Sequence, residues 1–191
     1  LQGIPLSEFK GFLDFGNQPE SYRPTLFDFA CHQALEFYSC GEQASAQPEN
    51  SFEVEDSSPA FGDAAEFMKW KPETEDQDSH TLKALRIYQN LLTFHYSAKS
   101  TDALIHNDLL RLDWAKNTGV GVNVSDRYLE RTEGVAEEYR ANEQSSTALA
   151  MAARENMAQN RMMKAFELAS EGEKRFPQSA GGVDCKSIIS T

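Results

Sequence analysis

Along most of this chain apolar residues recur at steps of three and four, and almost nowhere do they alternate, so the pattern predicts helices and hardly any strand. Residues 23–39, "RPTLFDFACHQALEFYS", place Leu26, Phe29, Ala30, Ala34, Phe37 and Tyr38 at helical spacing, with Pro24 where a first turn tolerates it. Residues 41–58 are polar, acidic and Ser-rich and read as a long loop. A short helix carrying Phe61, Ala64, Ala65 and Met68 is predicted after Ser58-Pro59, followed by the acidic connector "KPETEDQDS".

From residue 79 onward the helical pattern is nearly continuous. Ser79 is the expected cap of a helix running to about residue 97, with Leu82, Leu85, Tyr88, Leu92 and either His95 or Tyr96 on one face. Asp102 is the expected cap of the next, whose stripe is Ile105, Leu109, Leu112 and Ala115 or Lys116. "NTGVGVN" stops it, and Ser125 is expected to cap a helix with Tyr128 or Leu129, Val135 and Tyr139. Three more are predicted over 144–159, 162–175 and 180–190. Connections this short between helices this long imply antiparallel neighbours. The expected fold class is all-α, with antiparallel helical hairpins stacked as a tetratricopeptide-like repeat. The expected parts are a helical 1–78 with its acidic loop and a repeat region 79–191, in one continuous helical domain excised from a larger protein.

The repeat reading rests on the last pair of helices. With Pro177 set on the final position of the roughly 34-residue tetratricopeptide pattern, Gly172 and Ala165 fall on the small positions of the second helix and Ala153 on that of the first. Leu149, Asn156 and Ala169 depart from the pattern, standing where bulkier aromatics are usual. Generic αα-hairpins fit the upstream helices equally well.

Composition narrows the function. Asp and Glu outnumber Lys and Arg 30 to 18, for a net charge of −12, which disfavours phosphate backbones and anionic membrane surfaces. There is no long apolar run, and any targeting segment is expected outside this chain. Three cysteines, Cys31, Cys40 and Cys185, are an odd number and do not predict a disulfide framework.

Few residues look chemical. Cys31-His32 pairs a nucleophile with a base, but helix neighbours point about 100° apart, so a half-buried thiol beside a surface imidazole is the better reading. His80, His95 and His106 lack metal-ligand spacing, and His95, on an apolar face, is expected to be a packing residue. "EDQDSH", residues 75–80, fails as a calcium loop and reads as a solvated connector ending in a cap. Gly119-Val120-Gly121 lacks a dinucleotide fingerprint. Asn123-Val124-Ser125 is a formal glycosylation acceptor, set against a capping role for Ser125. No catalytic residue, cofactor or metal site is expected.

Four stretches carry a family resemblance: "YRPTLFDFACHQALEFY" (22–38), "SFEVEDSSPAFGDAAEF" (51–67), "ALRIYQNLLTFHYSAKSTDALIHNDLLRL" (84–112) and "KRFPQSAGGVDCKSII" (174–189). In this order they resemble the helical region N-terminal to the macroglobulin domains of large bacterial alpha-2-macroglobulin-like proteins. The resemblance implies a non-catalytic scaffold or protein-interaction module within a protease-trapping envelope protein, periplasmic or a lipoprotein. The implied partners are the other domains of that protein, and beyond them proteases or envelope proteins, with no nucleic acid and no membrane insertion. Cys40-Gly41-Glu42-Gln43 resembles the thioester motif of the same superfamily, which would bond the Cys40 sulfur to the Gln43 side-chain carbonyl. Its polar surroundings offer no cover against hydrolysis, so a thioester-bearing domain stands as the alternative, beside a stand-alone helical-repeat adaptor or lipoprotein.

Overall fold

A computed structural model describes residues 1–12, 19–39 and 50–190. The described residues form eight α-helices and no strand: α1 Leu26–Ser39, α2 Ala64–Lys69, α3 His80–Ala98, α4 Thr101–Thr118, α5 Val124–Glu138, α6 Gln144–Ala158, α7 Met162–Arg175 and α8 Ala180–Ile189. The all-α expectation holds. The chain divides into two compact units, 1–119 and 120–191, whereas the sequence reading starts its repeat part at residue 79.

In the first unit α3 packs against α1, α2 and α4. Local chemistry sets the helix ends. Thr25 and Asp28 form a reciprocal capping box: Asp28 N–H donates to Thr25 Oγ1 (3.3 Å) and Thr25 N–H to Asp28 Oδ2 (3.0 Å). Ser79 caps α3 by accepting from Leu82 N (3.3 Å), as expected, and Lys99 closes that helix in the left-handed conformation. Two expected caps move by two residues. Ser100 stands before α4 and Asp102 lies in its first turn; Asn123 stands before α5, so Ser125 is already helical. The short helix after Pro59 is divided in two, a 3-10 turn Pro59–Phe61 and then α2, because Asp63 takes the Glu66 N–H and starts a new helix.

The inward face of α1 differs from the expected one. Phe37 is 62% exposed, while Asp28 and Leu35 are buried with Cys31 and His32 partly covered between them. A hydrophobic pattern cannot mark a face whose anchor is a carboxylate. On α3 the expected stripe is inside, and the choice between His95 and Tyr96 goes to His95. Helix α4 buries its expected stripe and also His106, Asn107, Asp108 and Arg111.

In the second unit α6 packs against α5, α7 and α8, and α7 against α8. Its interior is rich in alanine, with Ala148, Ala150, Ala152, Ala153, Ala165 and Ala169 all buried. Gly172 and Gly181 sit where helices touch. A Cβ on Gly172 would lie 2.4 Å from Cys185 Sγ and 3.2 Å from Leu149 Cβ, and one on Gly181 would lie 2.1 Å from the Thr147 backbone nitrogen. Pro177 is exposed just past the end of α7.

Candidate functional site

The chemistry-bearing side chains gather in the first unit, where the entry to α1, α3 and α4 bring together Tyr22, Arg23, Asp28, His32, His95 and His106. Asp28 and His95 are both fully buried, and His95 Nε2 donates to Asp28 Oδ1 at 2.6 Å. Thr25 supplies two further bonds to the other carboxylate oxygen, from its N–H (3.0 Å) and its Oγ1 (2.7 Å). Burial pushes the Asp28 carboxyl up, but the His95 and Thr25 hydrogen bonds outweigh it and hold the group below its ordinary value. Buried carboxylates persist when paired in this way.

His106 is stacked on Tyr22 with ring centres 5.0 Å apart, and its Nε2 accepts from Arg23 Nε at 3.4 Å. His32 is tilted against it at 6.2 Å. Burial, reinforced by the Arg23 charge, lowers His106 to about 3 and His32 to about 4. Both imidazoles are therefore neutral near pH 7. His32 is partly covered rather than on the surface as expected, with the ring of His106 on α4 beside it. Burial, with Asp28 nearby, pushes the Cys31 thiol up to about 11, so it carries almost no thiolate at neutral pH.

A second buried cluster ties the 60–62 segment to α4. Arg111 Nε donates to Asp108 Oδ1 (3.1 Å), and Nη2 bonds the same oxygen. Nη1 donates to Ala60 O (2.6 Å) and to Gly62 O (3.2 Å), and Nη2 also reaches Gly62 O (3.2 Å). The guanidinium lies 4.8 Å from the centre of the buried Phe67 ring. Every donor of the guanidinium is engaged, which is what a fully buried arginine requires. Neither Arg111 nor Asp108 belongs to a motif in the sequence. The i,i+3 pairing beside an apolar stripe is the only local hint of them.

The remaining sequence candidates have ordinary roles. Asp76 accepts from Phe52 N (3.2 Å), Gln77 from Arg86 (2.8 Å) and Asp78 pairs with Lys83 (3.3 Å), so residues 75–80 tether and cap. Among the described residues no group of three His, Cys, Asp or Glu could hold a metal ion, and no helix is long and apolar enough to cross a membrane. Cys31 and Cys185 are free thiols. Cys40 and Gln43 lie outside the described residues. Ala153, Ala165 and Gly172 are all interior.

One open surface feature stands out. A groove of about 390 Å³ runs between residues 51–59 and 70–74, lined among others by Phe52, Trp70, Glu53, Glu55 and Glu73. Gln89 on α3 fixes one wall by donating to Phe67 O (2.8 Å) and Trp70 O (2.7 Å), and Asp76 fixes the other through Phe52 N. Val54 is fully buried while Glu53 and Glu55 are exposed, the alternation of an extended segment. Trp70 and Pro59 also line an adjoining hollow of about 470 Å³ with Asp63, Glu66 and Lys69.

A scan against protein-family models, a search of curated proteins and a search of solved structures each found no match.

Proposed function

We propose that this chain is a non-catalytic helical module that acts as scaffold and protein-interaction part of a bacterial alpha-2-macroglobulin-like, protease-trapping envelope protein, with α5 to α8 stacked in tetratricopeptide-like fashion. The observation that carries the non-catalytic part is the use made of the reactive groups. Asp28, His95, Arg111 and Asp108 are spent on joining elements to one another in the interior, and the one nucleophile beside an imidazole, Cys31, is held as a thiol. The resemblance of the four stretches supports the family, and the small buried residues at Ala153, Ala165 and Gly172 support the repeat register, since paired helices touch closely at such positions.

The test is the gene that encodes this chain. A long strand-patterned region downstream of Thr191, and loss of protease trapping when residues 1–191 are deleted from the parent protein, are the expected results. A parent without such a region overturns the reading. Intact-mass measurement of unheated protein decides against the thioester alternative when the mass equals that of the sequence. A native mass short by one ammonia, restored by methylamine and absent in Cys40→Ala, would make the chain an acylating domain instead.

A further inference from the structure

The groove between residues 51–59 and 70–74 combines apolar surface with acidic charge. Its aromatic groups, Phe52 and Trp70, lie with ring centres 6.4 Å apart and are both only partly buried, leaving apolar surface in reach of solvent. Its charged lining residues, Glu53, Glu55 and Glu73, are all exposed and all acidic, and no Lys, Arg or His lines it. The walls are held in place from below by Gln89 and Asp76, so the groove is a formed feature of the fold and not a slack loop. Residues 51–54 and 71–74 adopt no regular secondary structure, and the groove is an open trough between them.

Charge complementarity names the occupant. A chain of net charge −12 repels nucleic acids and anionic surfaces, and here three carboxylates stand beside a partly exposed indole. A guanidinium is planar, weakly hydrated and permanently charged, stacks on Trp better than an ammonium does, and pairs with carboxylates at its edge. We propose that this groove is a docking site for an extended, arginine-bearing segment of a partner protein, with the guanidinium over Trp70 and the flanking backbone between the two walls. Glu53, Glu55 and Glu73 supply the carboxylate contacts. The inference rests on the protein-interaction part of the proposed function and is independent of the macroglobulin resemblance.

The experiment titrates the whole 191-residue chain, at physiological salt, with the fluorescently labelled peptide Gly-Arg-Gly-Arg-Gly and with its isosteric citrulline counterpart. Saturable binding of the arginine peptide is expected, with the neutral isostere weaker by at least about tenfold. The triple change Glu53→Gln, Glu55→Gln, Glu73→Gln should weaken the arginine peptide by about tenfold or more. The charge-matched control Glu8→Gln, Glu130→Gln, Glu167→Gln, at exposed positions that do not line the groove, should change it less than about twofold. Trp70→Leu should weaken it roughly fivefold. All the glutamates changed are exposed, so the triple variants keep the fold, and circular dichroism checks this. Equal binding of the two peptides, or equal losses in groove and control variants, would show general attraction to an acidic chain and overturn the proposal, as would absence of binding. None of these results alters what the parent gene says about the scaffold, so the two readings fail separately.

Discussion

In residues 1–119 a guanidinium, two carboxylates and an Asp-bonded imidazole lie inside, each tied to a partner far along the chain or on the next turn. In residues 120–191 the interior is mostly alanine, glycine and leucine, its buried polar residues are mainly uncharged (Thr132, Gln144, Ser145, Ser146 and Asn156), and most ions are at the surface: Lys164 with Glu133 (3.1 Å), Arg154 with Asp184 (2.9 Å), Arg140 with Glu137 (2.9 Å). The exceptions are Glu155, buried and accepting from Gln159 Nε2 (3.0 Å), and Arg175, its side chain largely covered as it reaches Ala136 O (2.6 Å) and pairs with Glu137 and Glu171. The difference follows from what each unit has to fasten. The second consists of successive helices joined by short turns, which small side chains let approach closely. The first must hold irregular segments: 1–12 is joined to the entry of α1 by backbone bonds, Leu6 N–H to Pro24 O (2.8 Å) and Leu26 N–H to Ile4 O (2.9 Å), and 50–62 takes side-chain partners, Asp76 for Phe52 N and Arg111 for Ala60 O and Gly62 O. Directional polar bonds fix loops, and close packing fixes helices.

Acid separates the two units most strongly. All four histidines lie in the first unit. His32 and His106 have folded values lowered to about 4 and about 3, below the ordinary imidazole value, so the unfolded chain binds more protons. Their stabilisation is therefore complete above about pH 6.5 and is lost as pH falls toward the folded values, on the order of 5 kcal/mol together by pH 4. Asp28, whose value is also lowered, adds a loss at still lower pH. Both tryptophans, Trp70 and Trp114, belong to the first unit, so their fluorescence should report loosening between pH 6.5 and 4. Amide resonances of α6 to α8 should hold over that range. Simultaneous loss would mean the histidines do not set the acid limit.

Arg111→Ala tests the polar fastening directly. It removes the guanidinium's bonds to the buried Asp108 and to two carbonyls, and the expected cost is about 3–5 kcal/mol in urea unfolding followed by tryptophan fluorescence. A cost below about 1 kcal/mol would mean that the apolar contacts of Phe61 and Phe67 alone hold the segment.

Glycine substitutions test the close packing, and here the sign itself discriminates. Gly181→Ala forces a Cβ against the α6 backbone and should cost roughly 1–3 kcal/mol. At Gly134 on α5 a Cβ meets only the end of Arg131 at 3.5 Å, so Gly134→Ala should stabilise by about 0.5–1 kcal/mol through helix propensity. Thermal melts of both variants give the comparison, and two losses of equal size would refute it.

The smallest effect belongs to the surface ions. Lys164→Gln breaks an exposed pair with Glu133 and should shift stability by no more than about 0.5 kcal/mol, less in high salt. A larger loss would bring the second unit closer in kind to the first.

The sequence by itself determined the helices. Seven of the expected spans match within a few residues, because helical periodicity, Ser79 as a cap and the Gly and Pro stops act within a turn or two. Thr25-Leu-Phe-Asp28 is a local signal of the same kind, a capping box one residue beyond Pro24. Tertiary structure alone decided which face of α1 turns inward, since Asp28 is buried only because His95, 67 residues later, is there to meet it. It alone decided that Arg111 belongs inside, since its carbonyl partners come from a loop some 50 positions earlier. The groove likewise exists only where residues 51–59 and 70–74 are brought side by side. Periodicity ranks residues by their aversion to water and so finds apolar faces. A buried charge, or a site shared by two segments, depends on a partner whose position no local pattern contains.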